Sequence, residues 1–212
     1  MAFYFVTQDK RGISEVQLSK TLDVTYKTVC YMIKRMRCAM KQRDINYRLF
    51  GTIEFDDTYI GDPTVGKKHG RGTVKSKVFA AVSIDKKGHP KYLKMMTTDN
   101  IQQRSVRKFA QANIKAETTI ISYGYRSYIP ALKDYKHEHG VYNPDVGMLH
   151  WLHTMIGKAK AFILGTYHGL PKKNLQVYLD EFCYRFNLRH FADLCDRLTN
   201  AIALSSFADL KG

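Results

Sequence analysis

Three acidic residues fall inside the segment Gly51-Thr-Ile-Glu-Phe-Asp-Asp-Thr-Tyr-Ile-Gly61, where Ile53, Phe55 and Ile60 are residues of a buried strand. A carboxylate among apolar neighbours is costly unless a cation or strong hydrogen bonds compensate it. Asp on a core strand therefore points to a divalent-metal ligand, and an edge strand with one solvated face accounts for the same pattern. Strand alternation places Glu54 and Asp56 on one face and Asp57 on the other. Asp56 is thus the first candidate metal ligand and Glu54 a weaker second. Magnesium takes oxygen donors, which fits these residue types.

Other chemistries find less support. Cys30, Cys38, Cys183 and Cys195 form no C-x-x-C pair and have no His at zinc-ligand spacing, which argues against zinc. No elbow motif supports a Ser/His or Cys/His nucleophile. The loop Gly61–Gly72 is glycine-rich and carries Lys67, Lys68 and Arg71. It lacks P-loop spacing, so a phosphate-backbone contact is the better reading.

The 212 residues suffice for one good-sized domain with a small appendage. A 44% apolar fraction with 12% aromatics supports a packed core. Thirty-four basic residues against 19 acidic ones leave a net charge of +15. Such an excess points to a polyanion partner, because each cation set against a phosphate releases condensed counterions. The apolar runs fall short of a membrane span, and the N-terminus is too short and too soon charged for a signal peptide.

The elements that must position these residues follow from periodicity. Residues 12–43 read as two helices, the first capped by Ser14 with Gln17 in a capping-box pattern and the second capped by Thr25. Val29, Ile33, Met36 and Met40 form an apolar stripe on the second helix. Lys27, Lys34, Arg35 and Arg37 lie on its other faces, the arrangement of a helix-turn-helix with its second helix in the major groove. Strands are expected at 52–60, 76–84 and 91–97, with a hairpin turn at 86–90. A helix near 101–114 and a strand at 118–122 follow, then helical stretches near 126–136, 150–163, 171–188 and 191–204. A composition break at 41–50 separates a module at 1–45 from a core at 50–205.

Phe55-Asp-Asp-Thr-Tyr-Ile-Gly61 resembles the first catalytic strand of DDE-type insertion-sequence transposases of the ISXO-type group. Gly12-Ile-Ser-Glu-Val-Gln-Leu18, Tyr26-Lys-Thr-Val29, Leu164-Gly-Thr-Tyr-His-Gly169 and Tyr178-Leu-Asp-Glu-Phe-Cys-Tyr-Arg-Phe-Asn187 resemble the same family in the same order. The resemblance implies an α/β fold with an RNase-H-like core behind a helix-turn-helix, in a member without the N-terminal zinc ribbon. It also implies two Mg²⁺ ions, one activating the attacking oxygen and one stabilising the leaving oxygen. Asp56 matches the first ligand position. Tyr123 stands at the second, where the family has Asp. Counting through Trp151-Leu-His-Thr-Met-Ile-Gly-Lys158 places Lys158 at the third, where this group has Asn.

These substitutions carry a physical sign. Tyr is neutral at physiological pH, with a pKa of about 10, and Lys sets a positive charge where a dication should sit. The expectation is a site too degenerate for Mg²⁺, with Lys158 paired to Asp56. His153 and Lys160 are expected to contact DNA. The implied function is a transposase-family DNA-binding protein with impaired catalysis. The alternatives are an active enzyme with a non-standard ligand set, and an inhibitory subunit that assembles with an intact transposase. The implied partners are double-stranded DNA and further copies of the chain, in the cytoplasm at the nucleoid.

Overall fold

A computed structural model describes residues 1–8, 12–61, 75–141, 147–167 and 170–207. The chain opens with α1 (Ala2–Gln8), α2 (Glu15–Leu22) and α3 (Tyr26–Ile45). Ser14 caps α2 by accepting the Gln17 amide at 3.1 Å, and Thr25 caps α3 by accepting the Thr28 amide at 3.3 Å. Asp23 takes a left-handed conformation in the turn between them, a conformation that Asp tolerates better than most residues.

A five-stranded sheet follows, built from β1 (Thr52–Ile60), β2 (Ser76–Ile84), β3 (Pro90–Thr98), β4 (Thr119–Tyr123) and β5 (Lys136–Gly140). The strand order is β3-β2-β1-β4-β5. β1 runs antiparallel to β2 and parallel to β4, and β5 runs parallel to β4. This is the RNase-H-like arrangement. The β2–β3 turn is held by Asp85, whose Oδ1 accepts the amides of Lys87 and His89 at 2.9 Å each.

Each face of the sheet has its own core. Val78, Ala80, Val82, Leu93 and Met95 pack against α6 (His150–Thr166) and α7 (Leu175–Asn187). Ile53, Phe55, Phe79 and Ala81 pack against α4 (Gln103–Asn113) and the short α5 (Tyr128–Ala131). Phe55 lies 5.0 Å from Tyr128 and 5.5 Å from Phe109 between ring centroids, distances at which aromatic pairs add to plain burial.

A third cluster joins α1, α2 and α3 to α7 and to α8 (Leu194–Ala203) through Leu18, Val29, Ile33, Met36, Tyr184 and Leu198. The stretch at 41–50 is tied to the sheet as well. Asn187 donates to Asp44 Oδ2 at 2.9 Å and to the Leu93 carbonyl at 3.1 Å, and accepts the Leu93 amide at 2.7 Å.

Two elements depart from the periodicity. Residues 126–136, expected as helix, form only α5 before the chain turns into β5. The β5 sequence Lys-His-Glu-His-Gly has no apolar alternation; it is an edge strand held by backbone pairing to β4 and by the Ser122–His137 side-chain hydrogen bond at 2.8 Å. α1 has no counterpart in the sequence reading; it forms by packing Ala2 and Val6 into the third cluster.

Candidate active site

Asp56 lies mid-way along β1, with its cross-strand partner Ala80 buried on the α6 side. β1 and β4 pair with Glu54 opposite Ile121. The ladder ends there, and Asp56 and Tyr123 each lie two residues further along their strands, on the α6 side by strand alternation. The Tyr123 hydroxyl donates to the Met148 carbonyl at 3.2 Å and lies 3.5 Å from His153 Nε2. The Tyr123 and His153 ring centroids are 5.9 Å apart.

The side chain that α6 sends toward this pair is therefore His153. Lys158 lies five residues on, about 140° further round the helix at 3.6 residues per turn, and is exposed. It shares a stripe with Trp151, whose indole donates to the Gly88 carbonyl at 2.7 Å on the β2–β3 side. The expected Lys158–Asp56 ion pair is not formed among the described residues. Lys160 shares the His153 flank and is half-buried. Burial and the neighbouring Lys75 lower its ammonium below the usual lysine range. Burial, then His150 and Lys160, likewise hold His153 below the usual imidazole range.

Beneath the pair the carboxylates are already engaged. Tyr128, fully buried on α5, donates to Asp56 Oδ1 at 3.1 Å and also contacts Asp57 Oδ1. Burial and these two carboxylates push its phenol far above the ordinary range. Glu54 Oε2 accepts the Leu152 amide at 2.6 Å. α6 starts at Leu149 with positive φ and no side-chain cap of its own, so Glu54 satisfies amides that every helix start leaves open. Burial raises the Glu54 carboxyl, against the amides of Leu152 and Trp151 and the charge of His150.

Two Mg²⁺ ions need several anionic oxygens converging on one point. Here Asp56 is joined by a phenol and an imidazole, Glu54 is committed to a helix end, and an ammonium stands on the same flank. Among the described residues this donor set does not supply the oxygens that two such ions take. Among the described residues no group of three or more His, Cys, Asp or Glu side chains is placed to hold a metal.

The residues expected at DNA separate into groups. Lys27 and Lys34 are exposed on α3 in one stripe with Tyr31. Arg35 donates to the Tyr31 hydroxyl at 3.0 Å and stacks 4.2 Å from the Phe207 ring. Lys67, Lys68 and Arg71 lie outside the described residues.

Arg37 requires a correction: it is 5% exposed and faces the protein interior. It binds Glu15 at 2.8 Å and Glu181 at 2.7 Å, with its guanidinium 3.9 Å from the Tyr178 ring. Burial alone would weaken that charge, and Glu181 with Glu15 more than restores it. Helical position could not separate Arg37 from Arg35; its acidic partners are 22 and 144 residues away.

A family model for the ISXO2-like transposase domain matches residues 48–187. The chain belongs to the ISXO2-like transposase family. The matched span runs from just after α3 to the last residue of α7, so it takes in the whole sheet and every residue of the Asp56 pocket. The ISXO2-like chain is of the DDE-type transposase kind. No curated protein matches it in a sequence comparison.

Among solved structures it is similar to a Mos1 mariner paired end complex with Mn, at 13% identity over 95% of this chain and 77% of that one, TM-score 0.38. A simian T-cell lymphotropic virus intasome in complex with PP2A regulatory subunit B56 gamma matches at 12% identity and TM-score 0.35. That match covers 62% of this chain and 48% of the intasome chain, so the protein spans about half the length of that relative. TM-scores this low leave the family match, and not the superpositions, as the ground for the assignment. Among the described residues no helix is long and apolar enough to cross a membrane.

Proposed function

We propose that this protein is a duplex-DNA-binding member of the ISXO2-like transposase family that has lost strand cleavage and transfer. The observation that carries this reading is the Tyr123 phenol on the α6 side of β4, the strand next to the one that carries Asp56, met by His153 from α6. Phosphoryl transfer by two metals depends on ions that polarise the attacking and leaving oxygens. A pocket with one carboxylate, one phenol and one neutral imidazole offers those ions too few anionic oxygens. Glu54 has a structural task at α6, which supports excluding it from the ligand set.

The DNA-binding half rests on the net charge of +15 and on the α2–α3 pair. Two capped helices across a short turn, with Lys27 and Lys34 exposed on the second, suit entry into a major groove. On this reading residues 1–45 read the DNA, residues 50–205 carry the inactive core, and copies pair across two DNA sites.

The test is a nicking assay on duplex DNA carrying the flanking sequence of the gene, with Mg²⁺ or Mn²⁺, beside a gel shift across a salt series. The expected result is salt-sensitive binding without nicks. Metal-dependent nicking that disappears with D56A would overturn the loss of catalysis, and absence of any duplex binding would overturn the rest.

A further inference from the structure

A groove of about 830 Å³ opens where the end of β3 meets the start of β2, the flank of α4 and the approach to α7. Among the described residues, five lysines line it against a single acid, Asp99. They are Lys75, Lys77, Lys108, Lys172 and Lys173, and they come from β2 and the residue before it, from α4, and from the 3-10 turn at Lys172–Asn174. A solvated helix face sets its charges along one element. Here separate elements bring like charges together in a concavity, where low-dielectric walls concentrate the field. Lys77 is held in place by donating to the Asp99 carbonyl at 2.9 Å.

The remaining lining identifies the occupant. Among the described residues, Ser76, Thr97, Thr98 and Ser105 supply hydroxyls, Met96 is the one apolar lining residue, and no aromatic ring lines the groove. Single-strand readers depend on aromatic platforms for the bases, and nucleotide sites are mostly apolar with a few polar anchors. Neither description fits. Closely spaced cations with hydroxyls are the chemistry of sugar-phosphate contacts that carry no sequence information.

We infer that this groove is a second binding site, apart from the α3 face, that grips the phosphodiester backbone of duplex DNA without reading its sequence. The inference rests on the protein being a DNA binder and adds where and how a second segment of duplex is held. The proximity of Lys75 to Lys160, which lowers the Lys160 ammonium, extends the cationic surface from the groove to the flank of the Asp56 pocket.

The test uses K108Q/K172Q/K173Q, three exposed positions, with fluorescence anisotropy on a random-sequence duplex across a salt series. Thermal melts check that the fold is kept. Each lysine lost from a phosphate contact should lower the slope of log K against log salt by about 0.9. The triple variant should therefore lose about two to three units of slope, whatever the DNA sequence. The charge-retaining K108R/K172R/K173R should keep the parent slope, which separates charge from disturbed packing. An unchanged slope in the folded glutamine variant overturns the groove while K27Q/K34Q still weakens binding. Loss of binding in the wild-type protein itself overturns the DNA reading instead. Polyglutamate held as tightly as duplex at equal charge overturns the assignment to DNA.

Discussion

The Glu54 carboxylate and the Leu152 amide are joined at 2.6 Å, which fixes the start of α6 to the strand that carries Asp56. A residue that the sequence offers as a metal ligand is here the cap of a helix. Removing a cap costs about 0.5–2 kcal/mol, so E54A should destabilise the protein by about that amount in urea unfolding. E54Q keeps an acceptor and removes a half-buried charge whose carboxyl is already raised by burial. At neutral pH it should match or exceed the wild type in stability. An E54Q as damaging as E54A would show that the charge, and not the acceptor, is what α6 needs.

Tyr123 and His153 stand beside Asp56 without offering carboxylates, so Y123D/H153E should make the site receptive to divalent cations. Two new carboxylates would stand beside Asp56 on the α6 face, the oxygen-rich set that Mg²⁺ and Mn²⁺ take. Calorimetric titration with Mn²⁺ should show affinity at least tenfold above the wild type. Equal affinities in the two proteins would mean that the phenol and the imidazole are not what bars the ions.

Arg37 bridges α2 and α7 from the buried side of α3, and its loss would leave Glu181 with Arg185 as its remaining partner. Breaking a buried ion pair from one side costs about 3–5 kcal/mol. R37A should therefore lower the unfolding free energy by that order, where a DNA-contact arginine on the surface would cost almost nothing. Circular dichroism during urea titration measures it.

Asp180 is raised to about 6, first by burial, with Gln176 and Lys41 opposing. Its Oδ2 is buried with no hydrogen-bond partner among the described residues. A carboxyl raised on folding contributes stability below its unfolded pKa of about 4 and loses it as pH rises through about 6. D180N should thus stabilise the protein at pH 7.5 by about 1–3 kcal/mol, from about 1.4 kcal/mol per unit, and the gain should vanish near pH 4. His137 and His153, both lowered chiefly by burial, act in the opposite sense. Their contribution is complete above a pH of about 6.5 and falls as acid charges the unfolded chain. Comparing D180N with wild type at each pH cancels the histidines and isolates the carboxylate.

Legibility followed the range of the interactions. The three long strands, the capped α2 and α3, and the apolar faces of α6 and α7 were legible because side-chain periodicity records which face is buried. The edge strand β5 was not, since backbone pairing leaves no side-chain pattern. In the site, strand alternation gave Glu54 and Asp56 a common face, and the family resemblance alone singled out Tyr123. The partner from α6 could not be placed, because five residues along a helix turn a side chain to the other flank, and counting selected Lys158 where the structure presents His153. Tyr128 beneath Asp56 and the two acids at Arg37 depend on contacts 22–144 residues apart, which local spacing does not encode.

The buried guanidinium of Arg37 also bears on how the molecule is put together. Its two carboxylate partners lie on opposite sides of residue 45, so a fragment ending there would leave Arg37 with Glu15 alone and Glu181 with Arg185 alone. Arg37 thus ties α3 to α7 and, through α7, to the sheet. On the proposed reading, duplex seated against α3 would therefore meet the Asp56 site at one fixed bearing.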